Sequence, residues 1–235
     1  MDNYAFKPLS LAFDDIQLQA DTLGAGPCQR ALMLLHGAGG AHRGVYADLR
    51  HYLAGQGISS SALDFVGHGE TGGSLLGSSL ASRVAQAARL AEAHPPQALL
   101  GSSMGAYIAI RLLAQLPAVT HLVLQVPGVY NPAAFETPFG PEFSAILRQE
   151  NSWRDSDAWD RLARFEGHLL IVAAERDEVI PHEIVERLYA AAGATCSRAL
   201  LTIDHAGHQL GRHWAENPLA MTEYRQNLAA FLARD

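Results

Sequence analysis

The 235-residue sequence has few cysteines, few charged residues and no long hydrophobic run. Cys28 and Cys196 have neither CxxC nor zinc-ligand spacing, so we expect two reduced thiols rather than a disulfide framework. Charged residues make up 17% of the chain and the net charge is −7, which argues against the basic face that a nucleic-acid partner requires. No stretch approaches the roughly 18 apolar residues of a membrane span. The first residues lack the basic start and apolar run of a signal peptide. We therefore expect a soluble, cytoplasmic protein with no membrane partner.

The chain is 49% apolar, which is enough to form a large core, and its length suits one domain over residues 1–235. Short apolar segments that resemble buried strands alternate with segments of helical periodicity. A hairpin is predicted over 11–22, strands over 31–37, 57–65, 97–101, 120–127, 168–175 and 198–204, and helices over 78–96, 104–117, 181–193 and 215–234. This alternation predicts an α/β fold, with a mostly parallel central sheet and helices on both faces.

Residues 127–167 form a connection between two predicted strands that is far longer than usual. We expect this segment to form a short cap or lid over the end of the sheet, because it is rich in aromatic residues. An apolar cap usually faces an apolar ligand. Candidate substrate-binding residues are Phe135, Phe139, Phe143, Trp153 and Trp159. The alternative is that these rings only form the core of the cap itself. The segment holds seven acidic residues and four arginines, which argues against a highly anionic substrate.

The stretch Gly101-Ser102-Ser103-Met104-Gly105 matches G-x-S-x-G between a predicted strand and a predicted helix. In such a turn the central residue has a strained backbone that lifts its side chain clear of the sheet. The residues two positions away must be small, because strand and helix backbones are crowded there. The pattern therefore selects Ser103, and not Ser102, as the exposed hydroxyl. The alternative is a turn of small residues with no chemical role.

Two further loops supply the partners that a serine nucleophile needs. A serine hydroxyl is activated by a base, and the base needs a carboxylate that orients it. Asp177 follows the strand predicted at 168–175, and His208 follows the strand at 198–204. The order serine, acid, histidine is the one found in sheets of this type, and both loops lie at carboxyl ends of strands.

These motifs together resemble the α/β-hydrolase superfamily, from about residue 30 to the end of the chain. The resemblance rests on "HGAGG", "DFVGHGET", "GSSMGA", "ERDEVIP" and "HAGH". It implies that Ser103 is the nucleophile, Asp177 the acid and His208 the base. The shape D-x-x-[IV]-P selects Asp177 over Glu175 and Glu178, and the ending "GH" selects His208 over His205.

The transition state of acyl transfer places negative charge on the carbonyl oxygen, which two backbone N–H donors can stabilise. We expect one donor at Met104, at a helix N-terminus where the helix dipole also helps. By resemblance, the second donor is Ala38 in the "HGAGG" loop, with Gly39 close by as a substrate-binding residue.

The remaining histidines and glycines predict no cofactor and no metal. His36 and His68 are expected to be structural hydrogen-bonding residues. The cluster His205, His208 and His213 lacks a metal-ligand motif such as H-E-x-x-H. The "GAGG" run lacks the Lys-Ser/Thr of a P-loop and the spacing of a dinucleotide fingerprint.

The sequence therefore predicts a serine hydrolase that acts on a small-molecule acyl substrate through an acyl-enzyme. The elbow serine excludes the aspartate-based dehalogenases and epoxide hydrolases and the cysteine-based dienelactone hydrolases of the superfamily. We expect a small-to-medium, partly apolar ester or thioester as substrate. Two alternatives stay open: a C–C bond or lactone hydrolase with the same triad, and a non-catalytic ligand-binding protein on the hydrolase scaffold.

Overall fold

A computed structural model describes residues 4–24 and 30–234. The predicted thiol at Cys28 lies outside these residues, and Cys196 is a buried free cysteine. The strands are β1 Phe6–Phe13, β2 Ile16–Leu23, β3 Arg30–Leu35, β4 Ile58–Leu63, β5 Ala98–Ser102, β6 His121–Gln125, β7 His168–Ala174 and β8 Ser197–Ile203. The α-helices of this part of the chain are α1 Ala47–Gly55, α2 Leu80–Ala93, α3 Met104–Leu112, α4 Pro141–Leu147, α5 Ala158–Leu162, α6 His182–Ala191, α7 Leu210–Glu216 and α8 Pro218–Leu232.

The eight strands form one sheet in the order β1-β2-β4-β3-β5-β6-β7-β8. The hairpin of β1 and β2 is antiparallel, β2 runs antiparallel to β4, and every other neighbouring pair is parallel. The central strands are buried on both faces, as their continuous apolar runs predict. The mostly parallel sheet of the sequence prediction is confirmed, and this is the α/β-hydrolase fold.

Helices cover both faces of the sheet, so two hydrophobic clusters form. One cluster joins the sheet to α2, α3 and α6 through side chains such as Val84, Ile108 and Leu188. The other joins it to α1 and α8 through side chains such as Leu53 and Leu228. Because the parallel strands end at one edge, the loops after β3, β5, β7 and β8 lie together there.

Several elements differ from the sequence prediction: the hairpin begins at Phe6 rather than at residue 11, and α4 and α5 of the long connection were not predicted. Helix α1 was not predicted, because its buried face carries Arg50, which interrupts the apolar stripe and instead hydrogen-bonds to Ser60 at 2.9 Å and pairs with Asp21. The helix predicted at 104–117 ends at Leu112 and continues as a 3-10 turn. The tail is two helices rather than one, since Pro218 begins α8 directly after α7 ends.

The connection between β6 and β7, which we call the cap segment (residues 127–167), is attached to α3 by polar contacts. The Tyr107 hydroxyl in α3 donates to Asp157 Oδ1 at 2.7 Å, and Arg111 pairs with the other oxygen of the same carboxylate. Arg161 donates to that oxygen at 2.6 Å. The Arg111 guanidinium also lies 3.3 Å from the centroid of the Phe135 ring. Asp157 therefore joins three donors at the base of the cap.

Replacing Asp157 with alanine is expected to lower the free energy of unfolding by about 2 kcal/mol, because the partly buried tyrosine and two arginines lose their acceptor. Urea denaturation measures this change. Asp160 is a matched control, since it is an exposed acid in α5, the helix that begins directly after Asp157. We expect Asp160→Ala to change stability by less than about 0.5 kcal/mol. Equal effects from both substitutions would contradict the proposed role of Asp157.

Candidate active site

Ser103 occupies a sharp turn between β5 and α3, as the sequence pattern requires. Its backbone has φ 53° and ψ −115°, a conformation that L-residues rarely adopt. A Cβ on Gly101 would lie 2.2 Å from the Gly105 carbonyl oxygen, and a Cβ on Gly105 would lie 2.2 Å from the Leu35 carbonyl oxygen. The two glycines therefore allow β5, α3 and the end of β3 to approach closely enough to hold the turn.

Hydrogen bonds to the neighbouring strand hold the strained residue in place. The Ser103 N–H donates to the Gln125 carbonyl at 2.9 Å, and the Gly128 N–H donates to the Ser103 carbonyl at 3.1 Å. Both backbone polar groups of Ser103 are thus satisfied by the end of β6 and the loop that follows it. The side chain is left free to point away from the sheet into the cavity described below.

His208 links the serine to a carboxylate. Its Nε2 lies 3.0 Å from Ser103 Oγ, and its Nδ1 lies 2.9 Å from Asp177 Oδ2 and 3.1 Å from Oδ1. The structure thus brings together the three residues that the sequence placed on separate loops. This is the hydrogen-bonded order in which an imidazole can take a proton from the hydroxyl while the carboxylate holds its orientation.

The loop after β7 keeps Asp177 charged. Burial alone would raise the pKa of this carboxyl, whose side chain is 5% exposed. The hydrogen bonds from His208, Ile180 and Val179 outweigh burial, and the pKa of Asp177 lies below its usual value. The two backbone N–H groups donate to Oδ1 at 2.9 Å each. Asp177 is therefore an oriented anion at neutral pH.

The other acids and histidines of these loops form a separate group on the surface. Glu175 accepts the His205 backbone N–H at 2.6 Å, and Arg176 Nη2 lies 2.8 Å from His205 Nδ1. His205 has φ 60°, which turns the loop toward His208. Asp204 is exposed at the end of β8.

The loop after β3 approaches the elbow from the side opposite to β6. A Cβ on Gly37 would lie 3.2 Å from the Ser102 carbonyl oxygen and from Ser103 Cβ. Ala38, Gly39 and Met104 line the same cavity as Ser103. Met104 is the first residue of α3, so its N–H has no acceptor within the helix. Ala38 and Met104 thus lie on the wall of the cavity that contains Ser103.

His36, buried at the start of this loop, stabilises it by hydrogen bonds. It is 1% exposed, its Nδ1 lies 2.8 Å from the Gly37 carbonyl, and the Phe65 N–H donates to its Nε2 at 3.2 Å. Burial lowers the pKa of His36 to about 3, and burial likewise lowers the pKa of His121 to about 4. His68 is also buried and lies 3.3 Å from Arg83. These histidines are structural groups within the described fold.

The neutral state of His36 predicts a pH-dependent stability. In the unfolded chain His36 takes up a proton near pH 6.5, whereas in the fold it stays neutral down to about pH 3. Stability is therefore full above pH 6.5 and falls as the pH drops. Between pH 7 and pH 5, His36 alone is expected to lower the free energy of unfolding by about 2 kcal/mol. Urea denaturation at the two pH values measures this loss.

The variant His36→Gln serves as the control for this pH effect, because glutamine offers an acceptor to the Phe65 N–H and does not titrate. We expect the variant to lose about 2 kcal/mol less than the wild type over the same pH interval. A loss identical to that of the wild type would show that His36 does not carry the effect.

A cavity of about 1000 Å³ opens above Ser103 and His208. One wall belongs to the cap segment and includes Val129, Tyr130 and Phe143. The opposite wall includes Tyr46, Leu210 and Trp214. Most of the lining residues are apolar, and none of the described ones is an aspartate or a glutamate. The cavity therefore suits a partly apolar ligand without a positive charge.

The structure separates the five candidate cap aromatics into two groups. Phe143 and Trp153 line the cavity together with Gly39. Phe135, Phe139 and Trp159 are not among the lining residues, which corrects their expected placement. Phe135 lies against Arg111, Phe139 against Arg83, and Trp159 against Arg187, with the Trp159 indole N–H donating to the Arg154 carbonyl at 3.0 Å. These three rings belong to the core of the cap.

The sequence analysis missed several cavity residues, among them Tyr46, Gln125 and Tyr130. Tyr46 lies in a 3-10 turn before α1, a helix whose periodicity is weak. Tyr130 had a usable signal, since it follows β6 within three residues of "PG" at the same sheet edge as the other site loops. Gln125 ends an otherwise apolar strand.

Among the described residues, no group of three or more histidine, cysteine, aspartate or glutamate side chains is arranged to hold a metal ion. Likewise, none of the described helices is long and apolar enough to cross a membrane.

Comparison with known families gives a match between residues 26–154 and the model described as serine aminopeptidase, S33. This range is more than half of the chain and includes the Ala38 loop and the Ser103 elbow. The chain belongs to the serine aminopeptidase S33 family. Its membership of the α/β-hydrolase superfamily, inferred from the motifs, is thereby confirmed. Asp177 and His208 lie beyond the matched range, so their assignment to this family's chemistry depends on the geometry described above.

Similar proteins agree with an S33-family fold. Two uncharacterized proteins from two strains of Mycobacterium tuberculosis are each 30% identical over 176 residues, which cover 72% of this chain and 59% of theirs. The chain thus spans about three fifths of the length of these relatives. The esterase EaEST from Exiguobacterium antarcticum superposes with a TM-score of 0.73 and 16% identity, covering 97% of this chain and 100% of that one. The Paleococcus ferrophilus monoacylglycerol lipase superposes with a TM-score of 0.70 and 19% identity, covering 92% of this chain and 98% of that one.

Proposed function

We propose that the protein is a serine hydrolase that cleaves a small-to-medium, partly apolar ester or thioester. The observation that carries this proposal is the 3.0 Å contact between His208 Nε2 and Ser103 Oγ, with the Asp177 carboxylate on the other ring nitrogen. A binding protein would have no need to keep these three side chains in hydrogen-bonded order. One domain over residues 1–235, with residues 127–167 as its cap, would supply the whole site.

The proposed reaction proceeds in two steps. His208 Nε2 takes the hydroxyl proton as Ser103 Oγ attacks the acyl carbon, and the N–H groups of Ala38 and Met104 donate to the oxyanion. As the intermediate collapses, His208 gives its proton to the leaving oxygen or sulfur, and an acyl-enzyme remains. A water molecule, deprotonated by His208, then attacks the acyl carbon and releases the acid and free Ser103.

The cavity favours an ester or thioester over an N-terminal peptide bond, although the family description is serine aminopeptidase. An aminopeptidase substrate carries an ammonium group close to the bond that is cleaved, and a buried ammonium group needs an acidic partner. No aspartate or glutamate occurs among the described residues of the cavity lining. Proteins with similar folds include a monoacylglycerol lipase and a thioesterase domain.

A substrate panel tests the proposal. It contains p-nitrophenyl esters from acetate to dodecanoate, the matching acyl thioesters and leucine p-nitroanilide. We expect turnover of esters or thioesters, with a maximum at short or medium acyl length, and little turnover of the anilide. Preferred hydrolysis of the anilide would assign the site to peptides instead. A folded protein that hydrolyses none of the panel and reacts with no fluorophosphonate would contradict the proposal.

A further inference from the structure

Tyr130 places a hydroxyl group in the cavity close to the elbow. Its ring packs against Tyr107 and Phe143, with centroids 5.3 and 6.1 Å away, and Tyr130 lines the cavity. A Cβ built on Gly128 would lie 3.3 Å from the Tyr130 hydroxyl and 3.6 Å from the carbonyl carbon of Ser103. Gly128 thus lies between the Tyr130 hydroxyl and the backbone of the elbow, which places the hydroxyl beside the nucleophile turn.

The Tyr130 hydroxyl has no hydrogen-bond partner among the described residues, whereas most comparable groups of the cavity have one. Besides Ser103, which bonds to His208, five other hydroxyl and carboxamide side chains that line the cavity are already hydrogen-bonded within the described protein. These are Tyr46 to the Leu35 carbonyl, Ser102 to Tyr46, Gln125 to Tyr224, Asn131 to Ser152 and Ala133, and Ser152 to the Leu147 carbonyl. Tyr130 and the exposed Gln209 have no such bond to a described residue. A polar group left free in a largely apolar wall fixes the position of a ligand atom.

Burial keeps the Tyr130 hydroxyl protonated, so it can donate a hydrogen bond. Arg83 is 1% exposed, and its guanidinium lies 5.0 Å from the centroids of Phe65 and Phe139. Its Nε and Nη1 have no hydrogen-bond partner among the described residues. Burial raises the pKa of Tyr130, and Arg83 acts in the opposite direction. Burial outweighs the charge of Arg83, so the phenol keeps its proton at neutral pH.

The sheet order places this donor and the Ala38 loop on opposite sides of the nucleophile. The Ala38 loop follows β3 and Tyr130 follows β6, and these strands flank β5 on opposite sides. Tyr130 thus lies across the nucleophile from the Ala38 donor. The leaving oxygen must lie at His208 Nε2 to be protonated, beside the wall formed by Leu210, Gly211 and Trp214. The acyl part remains for the cap wall, where Tyr130 lies.

We propose, resting on the serine hydrolase function above, that Tyr130 is a specificity-determining residue that donates a hydrogen bond to an acceptor oxygen in the acyl part of the substrate. The preferred acyl groups are then oxo- or alkoxy-substituted chains a few carbons long rather than plain hydrocarbon chains. The Tyr130 ring contacts the carbon atoms of the acyl chain, and its hydroxyl donates a hydrogen bond to the oxygen of the substituent.

The test compares p-nitrophenyl pentanoate with p-nitrophenyl 4-oxopentanoate, two substrates of equal chain length and identical leaving group. For Tyr130→Phe we expect kcat/KM to fall about tenfold with the oxo ester and less than about twofold with the plain ester. Because each substrate is compared with itself in the two proteins, its intrinsic reactivity cancels. Tyr107→Phe is the control, since the Tyr107 hydroxyl bonds Asp157 outside the cavity lining. It should change both substrates by the same factor.

The outcomes of this comparison distinguish a failure of the Tyr130 inference from a failure of the hydrolase function. Equal losses with the two esters, in a Tyr130→Phe protein whose thermal unfolding matches the wild type, would overturn the role of the hydroxyl and leave the hydrolase function standing. A kcat/KM that is unchanged with both esters would do the same. If the folded wild type hydrolyses neither ester and no fluorophosphonate labels it, the hydrolase function itself fails, and the inference falls with it.

Discussion

Replacing Ser103 with alanine is expected to lower kcat for ester hydrolysis by a factor on the order of 10⁶. The hydroxyl oxygen would bond to the acyl carbon. In the variant, no nucleophile lies 3.0 Å from His208 Nε2. Some catalysis over water would remain, because backbone donors still polarise a bound carbonyl. Initial rates with p-nitrophenyl butyrate and labelling by a fluorophosphonate probe measure the loss.

The adjacent serine provides the matched control for this experiment. Ser102 is the last residue of β5 and hydrogen-bonds to Tyr46, and its side chain has no histidine partner among the described contacts. Ser102→Ala should still be labelled by the probe, whereas Ser103→Ala should not. Labelling that survives in Ser103→Ala and disappears in Ser102→Ala would show that Ser102, and not Ser103, is the nucleophile.

Replacing Gly105 with alanine is expected to lower the free energy of unfolding by about 3 kcal/mol or more and to remove most activity. The new methyl group would lie 2.2 Å from the Leu35 carbonyl oxygen and 2.8 Å from the His36 carbonyl oxygen. Both contacts are with backbone, so α3 must move away from β3. Such a movement displaces Ser103 and Met104 together, at the start of that helix.

Gly55 is the matched control, because it ends helix α1 and a Cβ there would meet nothing within 4 Å. We expect Gly55→Ala to be neutral or to stabilise the protein by up to about 1 kcal/mol, since alanine restricts the unfolded chain more than glycine does. Chemical denaturation of both variants decides the matter. A Gly105→Ala protein as stable and active as the wild type would show that the elbow tolerates a side chain.

The elbow and its partners were predictable because their constraints are local. A residue with positive φ between two crowded backbones needs glycines two positions to each side, and that requirement appears directly in the letters around Ser103. The loops of Asp177 and His208 were found in the same way, as polar residues directly after apolar strands. Parallel pairing then brings them to one edge, whatever their separation along the chain.

The cap and helix α1 were harder to predict, because their packing depends on contacts distant in sequence. Nothing near Phe135 indicates that Arg111 covers it, and nothing near Trp159 indicates a contact with Arg187. Whether an aromatic ring of this segment packs in the cap core or lines the cavity depends on which helix it contacts. Residues of either role have the same composition, so Phe143 could not be distinguished from Phe139 before the structure was known.

The attachment of the cap through Asp157 has a mechanical consequence for catalysis. The carboxylate is held by Tyr107 and Arg111, which belong to the helix that begins directly after Ser103. An acyl tail long enough to push the cap outward would therefore pull on that helix and tilt the attacking oxygen relative to the imidazole. Tail length should consequently alter turnover itself as well as affinity, so the chain-length optimum would be visible in kcat and not only in KM.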